Sequence, residues 1–348
     1  MNKDFVINVL KYLPINIFFK KLYAGEGSIL FMHKVVVKHD NKDRINLMKA
    51  NEIEVFYLEK MLVYLKKKYD LISLDQINER LKNKSKFKKK FIVITFDDGY
   101  KDNLTLAYPI FKKHNIPFTI YITNCYPNHT GKLWWYMLED ILLENDYVKF
   151  FYQEKLLGFD TKNKKQKNIS FIKIRELMIN ATEKEQDLIF NYLEKHYNKT
   201  LKDYVKKESL TWEEIKKLSK DSLVTIGCHT QNHLALNTLS EAEQIEEILT
   251  SKTEIEAKID KVSNHFAYPF GTSNEINEKE VNNLKQTKVF KTATTTRMGN
   301  IFNKHINHLH TLPRIQVLGT QQDLSILDLY LCGAIPAIKN RFKRIVTL

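Results

Sequence analysis

Three short segments hold the residues able to do chemistry. In Thr95-Phe96-Asp97-Asp98-Gly99-Tyr100, two carboxylates stand side by side after an apolar run. Adjacent carboxylates that converge on one site repel, so one of them is neutralised by a proton or a cation. Asp-Gly is also a common turn dipeptide, and the pair taken alone reads equally well as a turn that caps the next helix. In His229-Thr230-Gln231-Asn232-His233, two imidazoles lie four positions apart. At that spacing both can sit on one face of a helical turn and share a metal. Thr follows the first His, so the Glu that serves as base in the zinc-protease pattern is missing and a base must come from elsewhere. One carboxylate and two imidazoles make a three-ligand catalytic metal site with an open position for water, and the second carboxylate is left free as a base. The third segment, Phe266-Ala267-Tyr268-Pro269-Phe270-Gly271, enters a Pro/Gly turn. Its backbone N–H groups could face a developing oxyanion, or the segment is an ordinary strand-to-helix turn.

The elements around these segments read as strands alternating with helices. Ser28–His33 and Phe91–Phe96 are apolar runs, the second almost continuous and β-branched, as expected of a strand buried on both faces. Apolar residues recur near helical spacing across Asn51–Lys66, Leu104–His114 and Glu241–Lys258. Further strands are expected at Leu71–Leu74, Pro117–Ile122, Leu223–Ile226, His265–Tyr268, Val289–Thr294 and Arg314–Val317. Such alternation predicts a parallel β/α architecture, in which catalytic groups gather at the carboxyl ends of strands. Residues 132–210 break the rhythm and read as an insertion, with one long helix expected over Ile172–His196. Trp134 and Trp135 at its start could stack on a sugar ring or pack in the core.

The 348 residues are enough for one large or two ordinary domains, and 43% hydrophobic with 28% charged residues excludes a collagen-like or wholly disordered chain. Lys and Arg number 55 against 41 Asp and Glu, a net charge of +14. Lysine clusters such as Lys66–Lys68 and Lys88–Lys90 account for much of it. They read as solvated faces, or as attraction to an acidic partner. No nucleic-acid-binding motif accompanies the charge, so a nucleic-acid partner is not expected. Three cysteines, Cys125, Cys228 and Cys332, make no disulfide framework. Asp4 and Lys11 interrupt the N-terminal apolar stretch and no cleavage site follows, so a signal peptide is not expected. The longest apolar candidate, Ile326 to Ile338, contains Asp328 and Pro336 and falls short of the roughly 20 residues that span a bilayer. A cytoplasmic protein is expected. Phe5–Phe19 followed by Lys20-Lys21, and the basic stretch Pro336–Arg344 with Ile338 and Phe342 at helical spacing, could place it peripherally at the inner membrane face, or could pack on the domain.

The motifs TFDDGY (Thr95–Tyr100), HTQNH (His229–His233) and FAYPFG (Phe266–Gly271), in this order and each at a strand end, resemble those of the NodB-homology polysaccharide deacetylases, carbohydrate esterase family four. The resemblance covers about Ser28 to Val317 outside the insertion. It implies a distorted (β/α)7 barrel, a divalent metal, usually zinc, and removal of an acetyl group from an N-acetylated sugar. Carried onto this chain, it implies Asp98, His229 and His233 as metal ligands, Asp97 as general base, and the Phe270 N–H as oxyanion donor. Tyr100 and Tyr268, the aromatic members of the first and third motifs, join Trp134 and Trp135 as expected sugar contacts.

Two features depart from the family pattern. Ala267 stands where many members carry an Arg that supports the catalytic Asp, and the late Leu-X-His motif with the acid His is missing. Ile29–Val35 resembles the N-terminal segment of a circularly permuted branch that includes the poly-N-acetylglucosamine deacetylases, and this implies His33 as the general acid. His308 and His310 compete for that role. Arg314, in Leu312-Pro313-Arg314-Ile315, is the candidate to pair with Asp97 and keep it ionised, or else is a surface residue.

The expected organisation is an amphipathic segment over 1–27, the barrel over 28–320 with its insertion, and a basic helical segment over 321–348. The expected partner is an N-acetylated carbohydrate, lipid-linked or nucleotide-linked in one version. N-deacetylation is preferred to O-deacetylation on the family's habit. The rival reading is a catalytically inactive carbohydrate-binding protein on the same barrel.

Overall fold

A computed structural model describes residues 16–39, 44–83 and 87–348. Residues 5–15 of the N-terminal amphipathic stretch lie outside them. The strands, in chain order, are β1 (Gly27–Met32), β2 (Lys34–Val36), β3 (Glu52–Glu54), β4 (Asp70–Leu71), β5 (Phe91–Phe96) and β6 (Phe118–Ile122). They continue with β7 (Tyr147–Tyr152), β8 (Lys155–Asp160), β9 (Val224–Cys228), β10 (His265–Ala267), β11 (Thr292–Met298) and β12 (Leu312–Gln316). Seven of them close a barrel in the order β1-β12-β11-β10-β9-β6-β5 and back to β1, every pairing parallel. The barrel is distorted at one seam. The first half of β5 pairs with the short β4 at Phe91 and Ile92, and only Thr95 and Phe96 reach β6.

Burial explains why the strand signals are strong. All six residues of β5 and all six of β1 are buried. Side chains alternate across a strand, so a run apolar at nearly every position satisfies both the barrel interior and the helices outside. Helices such as Val55–Lys68 and Glu241–Ile259 cover the outside. The second starts at Ser240, whose hydroxyl accepts from the Glu243 N–H in a reciprocal capping box. Because β1 lies between β12 and β5, the first and last barrel strands are neighbours.

Several elements differ from the sequence expectation. The helix expected from Asn51 begins at Val55, because Glu52–Glu54 pairs with β2 instead. The strand expected over Val289–Thr294 runs over Thr292–Met298. The single helix expected over Ile172–His196 is two, Lys164–Asn180 and Glu183–Tyr197. Thr182 takes an extended backbone between them and caps the second with Glu185. The insertion also holds a hairpin, β7 and β8, turned by Gln153 and Glu154 at φ of 47° and 63°. Such a two-residue turn normally advertises itself as Asn-Gly, and Gln-Glu gives no such signal. Met137, Ile141, Phe150, Phe171, Ile174 and Phe190 form the insertion's own core.

The basic C-terminal helix is short. It spans Ala334–Lys339 and buries Ala334, Ile335, Pro336 and Ala337, while Phe342 follows it against the ring of Tyr23. The helices Asn16–Tyr23 and Leu324–Leu331 join it, and Gly333 approaches the Tyr23 carbonyl so closely that a Cβ there would collide with it. Among the described residues no helix is long and apolar enough to cross a membrane.

The β1–β5 closure depends on Gly27, where a Cβ would collide with the Phe91 carbonyl oxygen. Gly27→Ala is expected to lower the unfolding free energy by about 1–3 kcal/mol in urea denaturation, the usual cost of overpacking.

Candidate active site

The barrel brings the chemistry-bearing segments together at the carboxyl ends of its strands. β5 ends at Phe96, and Asp97 and Asp98 follow, both buried. Asp98 has φ of 76°, in the left-handed region, so its side chain leaves the strand in a different direction from that of Asp97. The two carboxylates therefore face different partners.

Asp97 is held by Arg314 from β12. Arg314 Nη1 and Nη2 donate to its two oxygens at 2.7 and 2.8 Å. The guanidinium is fully buried, donates through Nε to the Thr295 carbonyl at 3.0 Å, and lies over the ring of Phe31 at 4.4 Å. The surface alternative for Arg314 is thus excluded. Burial alone would raise the Asp97 pKa, but Arg314, with His229 and His33, outweighs it and holds the carboxyl below its usual value.

Asp98 faces the imidazole pair. Its Oδ1 stands 3.2 Å from His233 Nε2 and 3.5 Å from His229 Nε2, and is buried without a well-aligned hydrogen bond. Against the desolvation that would raise it, the two imidazoles hold the Asp98 carboxyl well below the ordinary value. His229 Nδ1 donates to the Ala267 carbonyl at 2.7 Å, so Nε2 is left to turn either a lone pair or a proton toward Asp98; against the burial that would lower it, the Asp98 and Asp97 carboxylates push the His229 pKa up. When the ring is neutral, a lone pair and a carboxylate oxygen facing one another in a buried site call for a cation between them. One ligand atom from each of Asp98, His229 and His233 lies within 4.8 Å of the others, and these are nitrogen and oxygen donors of the kind divalent zinc takes, so the residues fit a metal. The His pair does not ride a helical turn as its spacing allowed. It sits on a loop after β9, with Thr230 and His233 at positive φ. Glu247 shapes this loop, accepting from the N–H of Gln231 and Asn232 and from the Asn232 side chain.

A cleft of about 210 Å³ opens over these groups, lined among others by His33, Tyr100, Trp134, Trp135 and Phe270. His33 follows β1, and its carbonyl accepts from the Asn103 side chain at 2.9 Å. Asp102, next to it, accepts from the Val35 N–H at 2.8 Å, and burial pushes its carboxyl up to about 7. His308 and His310, the rivals of His33, precede β12 and so lie at the opposite end of the barrel. Phe270 has φ of 59° and its N–H has no hydrogen-bond acceptor among the described residues. Its ring packs on that of His233 at 4.9 Å, and Trp135 does so at 5.6 Å. Trp135 Nε1 donates to the Tyr100 hydroxyl at 3.1 Å. Trp134 is only 5% exposed and belongs mostly to the insertion's core. Tyr268 corrects the sequence reading. It is wholly buried, and its hydroxyl donates to the His310 carbonyl, so it stands away from the cleft and supports β10 from behind.

Sequence reasoning missed Glu247, Asn103 and Arg175. Glu247 carried a faint signal, since it falls on the core-facing side of the Glu241–Ile259 helix with Gln244, Ile248 and Ser251, where an acidic residue needs a partner.

Comparison with known proteins follows the same lines. The family model described as polysaccharide deacetylase matches residues 84–148 and 175–289, together just over half of the chain. It takes in Asp97, Asp98, His229, His233 and Phe270 and leaves His33 and Arg314 outside. Among solved structures, a deacetylase from Streptococcus pyogenes, PplD in complex with acetate, superposes with a TM-score of 0.57 at 18% identity, covering 88% of this chain and 97% of the other. A de-N-acetylase from Aggregatibacter actinomycetemcomitans gives 0.54 at 16%, covering 87% and 99%. IcaB from Ammonifex degensii gives 0.54 at 16%, covering 88% and 98%. These likenesses establish the fold. No curated protein matches the sequence.

Arg314→Met leaves Asp97 buried and unpaired. It is expected to destabilise the chain by about 3–5 kcal/mol at pH 7. The depressed pKa of Asp97 stabilises the native protein above the ordinary carboxylate range, and that contribution disappears as pH falls through the folded value. The variant's raised carboxyl takes up a proton at higher pH, so the difference from wild type should shrink between pH 7 and pH 4 in urea titrations.

Proposed function

The chain belongs to the polysaccharide deacetylase family, and on that premise we propose that it hydrolyses the N-acetyl group of a sugar, using a divalent metal, zinc by preference, held by Asp98, His229 and His233. The observation that carries this reading is the division of labour between adjacent carboxylates. Asp98 is committed to the imidazole pair, and Asp97 is kept ionised by Arg314 at the edge of the same cleft. When bound, the metal supplies Lewis-acid activation of water and of the acetamide carbonyl.

This chain's residues supply the rest. Asp97 accepts a proton from the attacking water, and the bidentate grip of Arg314 fixes the carboxylate plane while lowering its pKa, so the base is ready at neutral pH. The water oxygen bonds to the acetyl carbon, and the charge that develops on the carbonyl oxygen meets the unpaired N–H of Phe270. The carbon–nitrogen bond then breaks. His33, which lines the same cleft, gives its proton to the leaving amine, and acetate and a free amino sugar remain. Trp135 and Tyr100, joined by a hydrogen bond, form a rigid aromatic wall suited to a sugar face. De-N-acetylation rather than O-deacetylation is favoured by the need for an acid at the leaving group, since an amine leaves poorly without a proton.

Asp97→Asn is expected to retain zinc binding in titration calorimetry while acetate release from chito-oligosaccharides falls by about 10²–10⁴-fold. His233→Ala is expected to weaken zinc binding by at least about tenfold, since losing even an outer-shell partner costs that much. Unimpaired acetate release from zinc-loaded Asp97→Asn protein would overturn the role given to Asp97.

A further inference from the structure

The proposed reaction leaves one cation of the cleft without employment. Arg175 projects from the Lys164–Asn180 helix, one turn after Phe171, and both line the cleft. Its guanidinium lies 5.7 Å from the ring centre of Phe270. Among the described residues it has neither a hydrogen bond nor an ion pair, and Glu275, the acid that acts on its charge most strongly, already accepts from the N–H and hydroxyl of Thr272. A guanidinium stays charged at any physiological pH, so a half-buried one with no protein acceptor is free to take an anion that enters the cleft.

A second cavity continues from the same wall. It measures about 360 Å³ and shares Thr272 and Thr296 with the cleft. Arg297, Lys339, Arg341 and Lys343 line it together with Leu348, and its lining holds no Asp or Glu side chain. Arg297 donates through Nη2 to the Ile276 carbonyl at 2.5 Å, but its Nε is buried without an acceptor. Arg341 and Lys343 come from the basic stretch Pro336–Arg344, which the proposed chemistry does not use, and both are exposed. Arg175 and the cations of this cavity, of which Arg297, Arg341 and Lys343 are the three used below, thus mark a cationic path leading away from Asp98, His229 and His233 past Thr272. The amount of charge selects the ligand. A single carboxylate is satisfied by one bidentate Arg, whereas a row of cations with no Asp or Glu side chain among them in the second cavity suits the larger charge and several acceptor oxygens of a phosphate or diphosphate.

We propose that the glycan acted on carries a phosphate or diphosphate beside its N-acetylated sugar, and that Arg175, Arg297, Arg341 and Lys343 hold that group. The inference rests on the deacetylase reading for the sugar, but the anion site stands on its own geometry. Nucleotide-linked and lipid-linked sugars share this chemistry.

The test uses the full chain and the double variant Arg341→Gln/Lys343→Gln, whose side chains are exposed and whose folding is checked by thermal melting. Inorganic pyrophosphate is titrated calorimetrically. Acetate release is measured on UDP-N-acetylglucosamine, on N-acetylglucosamine joined through diphosphate to a short prenyl chain, and on neutral diacetylchitobiose. The wild type is expected to bind pyrophosphate and the variant to bind it about tenfold more weakly or worse, as loss of two charge-assisted contacts implies. The ratio of kcat/KM for a diphosphate sugar over chitobiose should fall by a similar factor in the variant, and whichever diphosphate sugar turns over faster identifies the source. Pyrophosphate that fails to bind, or binds both proteins alike, overturns the phosphate site, and acetate released from chitobiose in that case leaves the deacetylase reading intact. Pyrophosphate binding lost in the variant, with no acetate from any of the three sugars, supports the phosphate site and counts against the deacetylase reading.

Discussion

Two neighbouring carboxylates buried at the end of one strand are the constraint around which this molecule is arranged. Asp97 and Asp98 are both almost fully desolvated, and two such charges cannot persist side by side unless each has its own compensation. The left-handed backbone of Asp98 separates them. One points toward a guanidinium, the other toward two imidazoles and the space for a cation. Each compensating group comes from a distant part of the chain, so β12 and the loop after β9 must be seated for the end of β5 to be tolerable. The barrel supplies that seating, because its parallel strands deliver their carboxyl ends to one rim.

The supports behind the first layer follow the same rule that a buried polar group keeps a partner. Thr295 and Phe31 hold the guanidinium of Arg314, Ala267 fixes the tautomer of His229, and Glu247 ties down the loop carrying both imidazoles. Asn103 fastens the carbonyl of His33 from the helix that follows the Asp pair. The arrangement also shows how Asp97 is paired although the resemblance implied an Arg at the position of Ala267. β10 and β12 both contribute to the same rim, on either side of β11, so a guanidinium from β12 reaches Asp97 as well.

The insertion acts as a wall of the cleft. It buries its own core, and it turns Trp135, Phe171 and Arg175 toward the triad. It gives the cleft Trp135, Phe171 and Arg175, the C-terminal segment lines the neighbouring cavity with Arg341 and Lys343, and the barrel rim contributes Asp97, Asp98, His229 and His233. The buried carboxylates and imidazoles and the side chains that wall the cleft therefore come from different parts of the chain, as expected when loops vary on a constant scaffold.

Much of the protein was legible in the sequence. The strand Phe91–Phe96, the helix Glu241–Lys258 and the three motifs were readable because period, capping and turn chemistry are local properties. The candidate residues stood out in the sequence because few side chain types can hold a metal or move a proton. The sequence did not show the β7–β8 hairpin, whose Gln-Glu turn lacks the usual residues, or the break at Thr182, although its capping pattern was present. Nor could it decide that Tyr268 faces away from the cleft, since a motif gives order along the chain but not the side to which a side chain turns. The pairing of Asp97 with Arg314 joins residues 217 positions apart. Nothing in a local pattern encodes such a contact, because it exists only once seven strands have closed on one another. Residue types fixed what this protein could do, and the closure of the barrel decided which of them meet.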